Sequence, residues 1–78
     1  MGIFVPKFRI QYYFQGSWKW VVGTNKAYLL MEKLEQGLKQ VPSDHVTIKQ
    51  YKGLWRGEEI IMQGTVEEVR RQIRELVG

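Results

Sequence analysis

The 78-residue chain contains no cysteine. Disulfide stapling, thiolate catalysis and cysteine-ligated zinc are therefore excluded, and the absence suits a reducing compartment. There is one histidine, His45, which argues against a transition-metal site. No apolar run approaches the ~18 residues of a membrane span. The opening "MGIFVPKFRI" has neither a basic leader nor a long apolar stretch, so no secretory signal is expected. Gly2 does not make a myristoylation signal, because position 6 is Pro rather than Ser or Thr. These absences lead to the expectation of a soluble, cytoplasmic protein that does not use a membrane.

What is present fits a single small domain, residues 1–78. A chain of this length buries only ~60% of the surface its unfolded form exposes, leaving little room for both a core and a catalytic cavity. Apolar residues make up 44% and charged residues 26%, a globular balance. The net charge of +4 mildly favours acidic partners such as phosphate backbones.

Phe8 to Gln15, "FRIQYYFQ", alternates and is rich in β-formers, so it reads as a first strand. Gly16-Ser17 reads as a two-residue type II′ hairpin turn, with Gly at the first central position. Trp18 to Val22 is then a second strand. In "GTNKAYLLMEKLEQGLKQVPSD", Thr24 or Asn25 can cap a helix whose apolar stripe is Ala27, Leu30, Met31, Leu34 and Leu38. Gly37 is a candidate early stop, and Pro42 ends any continuation. Val46 to Tyr51 reads as a third strand, "KGLWRG" as a Gly-flanked loop, and Glu59 to Gln63 as a fourth strand. "GTVEEVRRQIRELVG" closes the chain as a helix. Thr65 and Glu68 form its capping box, Val66, Val69, Ile73 and Leu76 its apolar stripe, and Glu67 and Arg71 an i,i+4 pair.

Gly-Thr recurs between strand and helix 41 residues apart, at Thr24 and Thr65. The order is hairpin–helix twice, a possible ββα pseudo-repeat over 8–40 and 46–78. The expected fold is α+β, ββαββα: a four-stranded, mainly antiparallel sheet with both helices on one face. The other sheet face would be open.

What lies on that open face depends on the first hairpin's register, because strand residues alternate faces and paired residues share one. A two-residue turn at Gly16-Ser17 puts Phe8, Ile10, Tyr12, Phe14, Lys19 and Val21 on the core side. Arg9, Gln11, Tyr13, Gln15, Trp18, Trp20 and Val22 then face outward. A three-residue loop, Gln15 to Ser17, would instead bury both tryptophans, with Val22, and expose Lys19 and Val21. Burial preference and binary pattern favour the second register; turn chemistry and the Gly-Thr echo favour the first, which is carried forward. Arg9, Gln11 and Tyr13 are on the open face either way, and Thr47, Lys49 and Tyr51 join them if Val46 and Ile48 point inward.

An open sheet carrying aromatics among cations is how several single-strand nucleic-acid binders work: bases stack on rings and Lys or Arg neutralises phosphate. The ordinary alternative is that surface tyrosines only raise β-propensity. Trp, Tyr and Arg are also the residues enriched at protein interfaces. "KQYKGLWRG", residues 49–57, gathers Lys49, Lys52 and Arg56 around Tyr51 and Trp55. It reads either as a phosphate-gripping loop or as one whose Trp55 folds back as a lid over the core edge. Its glycines match no phosphate-loop pattern. Ser43, Asp44 and His45 are adjacent in a turn, so they cannot converge as a triad from separate elements. Glu58 and Glu59 would point to opposite faces of a strand, which argues against a paired-carboxylate site.

The expected function is therefore non-enzymatic binding without cofactor or metal. Nucleic acid, single-stranded in preference, is the first expected partner. A protein partner is the alternative, with the chain acting as an inhibitor or adaptor of the compact kind mobile elements encode, or as a homodimer. The expected binding residues are Arg9, Tyr13, Lys19, Trp20, Lys49, Tyr51, Lys52, Trp55 and Arg56. The acids Glu58 and Glu59 discriminate between the two, since carboxylates at the loop edge suit nucleic acid poorly.

Overall fold

A computed structural model describes residues 6–78; Gly2 and the start of the opening segment lie outside the described residues, as does the Val21 side chain. Strands β1 (Phe8–Phe14) and β2 (Ser17–Thr24) are followed by a 3₁₀ turn (Ala27–Leu29) and helix α1 (Leu30–Gln40). Strands β3 (His45–Tyr51) and β4 (Glu58–Thr65) are followed by helix α2 (Val66–Val77). The fold is α+β with ββαββα order. Among the described residues four strands form one antiparallel sheet, β2-β1-β3-β4. The two hairpins thus meet through their first strands, and β2 and β4 are the outermost of these four.

The core lies between one face of the sheet and the two helices. Phe8, Ile10 and Tyr12 of β1, Val46 and Ile48 of β3 and Met62 of β4 pack with Leu30 and Leu34 of α1 and Val69 and Ile73 of α2. Each such apolar side chain contributes ~1.5–3 kcal/mol by leaving water. Tyr12 is fully buried, and its hydroxyl donates toward the Leu34 carbonyl at 2.9 Å and the Lys33 carbonyl at 3.2 Å. Burial pushes the phenol pKa well above its ordinary value, with the nearby Glu35 charge adding to the effect. A Cβ on Gly37 would overlap the Tyr12 phenol. Gly37 is therefore a buried position inside α1 and not an early stop; the missing side chain is the slot the tyrosine enters.

Neither Thr24 nor Asn25 caps α1. Thr24 Oγ1 accepts from the Lys26 N–H at 3.2 Å, and Asn25 Oδ1 accepts from the Lys7 N–H at 2.9 Å, which ties it to the start of β1. The 3₁₀ turn intervenes before the α-helix. Thr65 does cap α2, its Oγ1 accepting from the Glu68 N–H at 3.2 Å. Glu67 pairs with Arg70 rather than Arg71. Arg70 also donates through Nε and Nη2 to Glu35 at 2.7 and 2.8 Å, joining the two helices and lowering the Glu35 pKa.

The first hairpin turns at Gln15-Gly16, not Gly16-Ser17. Phe14 pairs with Ser17, and Gln15 (φ 52°) and Gly16 (φ 82°) both have left-handed backbone, as a type I′ turn requires. The change moves the partners of Gln11 to Phe14 by two residues, so the faces are preserved over that stretch. Trp18 pairs with Tyr13 and Trp20 with Gln11, all on the side away from the helices. The register then shifts, Ile10 pairing with Val22, and this bulge turns Val22 to the core side instead of the open face. A matching shift in β4, from Ile48↔Met62 to Lys49↔Ile60, turns Met62 inward and Ile60 outward. Both irregularities sit on the outermost strands among the described residues, the position where bulges are most common.

Candidate functional site

The sheet face opposite the helices carries four side-chain rows, fixed by the pairing. Trp18, Tyr13 and His45 form one row, and Trp20, Gln11, Thr47 and Gln63 the next. Arg9, Lys49 and Ile60 follow, then Tyr51 and Glu58 at the end nearest the β3–β4 loop. Among the described residues no helix covers this face. Trp18, Tyr13 and Trp20 keep 40%, 42% and 45% of their surface in contact with solvent.

The rings are ordered by their neighbours. Tyr13 and Trp18 meet edge-to-face, centroids 5.2 Å apart, the arrangement the ring quadrupoles favour. The Arg9 guanidinium lies over Trp20, with Cζ 3.8 Å from the ring centroid, and the Lys49 ammonium is 5.4 Å from it. Arg9 Nη1 also reaches Glu58 Oε1 at 3.2 Å. In the row between, the Gln63 amide donates to Thr47 Oγ1 at 2.9 Å, which satisfies the hydroxyl of a nearly buried threonine.

Tyr13, Trp18, His45, Gln63 and Gly64 line an open cleft of about 280 Å³ at one end of the face. Its exposed walls are almost wholly apolar. At the other end, the β3–β4 loop is held by backbone hydrogen bonds, Lys52 N–H to the Gly57 carbonyl at 2.7 Å and Gly57 N–H to the Gly53 carbonyl at 2.8 Å. Gly53 (φ 111°) and Gly57 (φ 66°) supply the left-handed backbone the turn needs. The loop presents Leu54 and Trp55 at 91% and 99% exposure. Trp55 is not a lid over the core edge.

Of the expected binding residues, Arg9, Tyr13, Trp20, Lys49 and Tyr51 share the face. Lys52, Trp55 and Arg56 are on the adjoining loop. Lys19 pairs with Tyr12 and so belongs to the helix side of edge strand β2, away from the site. Lys52 is engaged by Glu59 at 3.8 Å, whereas Arg56 is in no ion pair among the described residues. The Ser43 hydroxyl lies between the Tyr13 and His45 carbonyls, 2.7 Å from the latter. It is directed at backbone, not at an imidazole. Among the described residues no group of three His, Cys, Asp or Glu side chains could hold a metal ion. No helix among them is long and apolar enough to cross a membrane.

His45, Gln63 and Ile60 are part of the face but absent from the expected set. His45 is legible by alternation, two residues before Thr47. Ile60 and Gln63 take their positions from the β4 bulge, which no local residue pattern announces. No family model matches the chain, and no curated protein or solved structure matches it.

Proposed function

We propose that this protein is a non-enzymatic interaction module whose working surface is the open sheet face with the β3–β4 loop, and that its partner is a protein. One observation carries this reading: half-exposed Tyr13, Trp18 and Trp20 stand together on a sheet face that no helix covers among the described residues, while Glu58 engages Arg9 on that face and Glu59 engages Lys52 beside the loop. Clustered aromatics with a stacked arginine are the composition of interface hot spots. Carboxylates among the cations repel a phosphate backbone.

The test is a photoreactive amino acid placed at Trp20, with Arg71 on α2 as the control position. Adducts that form from Trp20 alone, and that are destroyed by protease but not by nuclease, support the reading. Nuclease-sensitive adducts, or equal labelling from both positions, overturn it.

A second reading rests on Arg9 and Lys49 both flanking Trp20. Exposed ion pairs are worth only ~0.2–1 kcal/mol, so Arg9 and Lys52 can exchange carboxylate for phosphate. On this reading the surface takes single-stranded nucleic acid. Engaging about three phosphates would give a log–log salt slope of about −2, and Tyr13→Ala would weaken binding without changing that slope. Absence of binding to labelled single-stranded DNA or RNA at low salt and micromolar protein would end it.

A further inference from the structure

We infer that the partner is a second copy of this chain, docked face to face by inserting the Leu54–Trp55 loop of each copy into the Tyr13/Trp18 cleft of the other; this rests on the protein-partner reading above. The molecule carries both halves of such a contact. The loop is a constrained turn whose Leu54 and Trp55 have almost no intramolecular cover, at 91% and 99% exposure. Two adjacent large apolar side chains held out on an ordered turn have a hydrophobic penalty that only an external partner relieves. The cleft is about 280 Å³ and open, below the ~300–1,000 Å³ of drug-sized ligand pockets and suited to one aromatic side chain. Its Tyr13–Trp18 edge-to-face pair leaves ring surface for a third aromatic ring to continue the packing.

The placement of the two features decides the geometry. β3 runs from His45 at the cleft to Tyr51 beside the loop, a span of roughly 20 Å at ~3.3 Å per residue. Knob and hole are therefore at opposite ends of one face. A two-fold axis lying in that face, perpendicular to the strands, puts each knob over the other copy's hole. The contact is isologous and closes on itself, giving a dimer and not a fibre.

The area is sufficient. Four strands ~4.8 Å apart and seven residues long make a footprint of roughly 440 Å² per copy. Counting both copies, and adding two inserted tryptophans at ~150–250 Å² each, the contact reaches the ~1,200–2,000 Å² of a standard stable interface.

The experiment is sedimentation velocity from 1 to 500 µM on the full chain, Trp55→Ser, Trp18→Ser, and an equimolar mixture of the two variants. Because Trp55 is fully exposed, Trp55→Ser leaves the monomer fold intact, which circular dichroism and the melting temperature check. The wild-type chain should move from 9.3 kDa toward twice that mass with concentration. Each single variant should dimerise at least tenfold more weakly. The mixture should dimerise better than either variant alone, because one knob-in-hole contact is intact only in the mixed pair. A chain monomeric at 500 µM, or a dimer indifferent to Trp55→Ser, overturns the inference. Monomeric wild type together with protein adducts from the Trp20 crosslinker would leave the protein-interface reading standing with another partner.

Discussion

The guanidinium of Arg9 is stacked on Trp20 at 3.8 Å while one of its amino groups reaches Glu58 at 3.2 Å, so a single cation is held by a ring and a carboxylate at once. Arg9 and Glu58 come from strands β1 and β4, and β3 runs between them. Arg9 thus clips Trp20 to the sheet and couples an edge strand to the opposite edge. Arg9→Ala should destabilise the fold by about 1 kcal/mol, combining an exposed cation–π contact with a surface ion pair. Trp20 should become more mobile, visible as a red shift in emission. Unchanged emission would mean the ring is held by something else.

Gly37 and Tyr12 form a matched pair. Ala at position 37 improves helix propensity by ~1 kcal/mol, yet the added methyl overlaps the phenol ring, and overpacking costs ~1–3 kcal/mol or more. Gly37→Ala should therefore destabilise by about 2 kcal/mol in urea melts. Tyr12→Phe should not rescue it, because the overlap includes ring carbons and not only the hydroxyl.

The buried Tyr12 phenol also predicts an alkaline limit. Its pKa is raised in the folded state, so the fold favours the protonated form. That contribution is complete below the unfolded value near 10 and is lost as pH rises from there toward the folded value. The lost stability should follow a slope of up to ~1.4 kcal/mol per pH unit. Chemical denaturation at pH 8 to 11.5 should show this decline, and Tyr12→Phe should flatten it. An identical decline in both proteins would assign the effect elsewhere.

The type I′ turn predicts an unusual gain. Gln15 pays for a left-handed backbone that Asn adopts more readily. Gln15→Asn should stabilise by ~0.5–1 kcal/mol, whereas Gly16→Ala should cost ~1–2 kcal/mol. Thermal melts of the two variants moving in the same direction would contradict this turn assignment.

Much of the fold was legible because short-range rules governed it. Val66, Val69 and Ile73 fall at helical spacing after a Thr65 cap, and β1 alternates from Phe8 to Tyr12. Gly16 suits the first central position of a type II′ turn as well as the second of type I′, so local chemistry does not separate Gly16-Ser17 from Gln15-Gly16. Trp18 and Trp20 have the same face in both, because the two pairings differ by an even number of residues there. Val22 departs from its expected face, because a bulge breaks alternation without a local signature. Gly37 looked like a stop because its reason lies in Tyr12, 25 residues away in sequence. Trp55 could have been lid or knob, and only the tertiary arrangement separates them.

The most direct test of the open aromatic face is acrylamide quenching of a Trp55→Phe variant at submicromolar concentration, where association is negligible. Trp18 and Trp20 then report alone. Half-exposed rings on a face that no helix covers among the described residues predict red-shifted emission and quenching of most of the signal. A blue-shifted, poorly quenched spectrum would put both rings inside the protein and contradict the proposed surface.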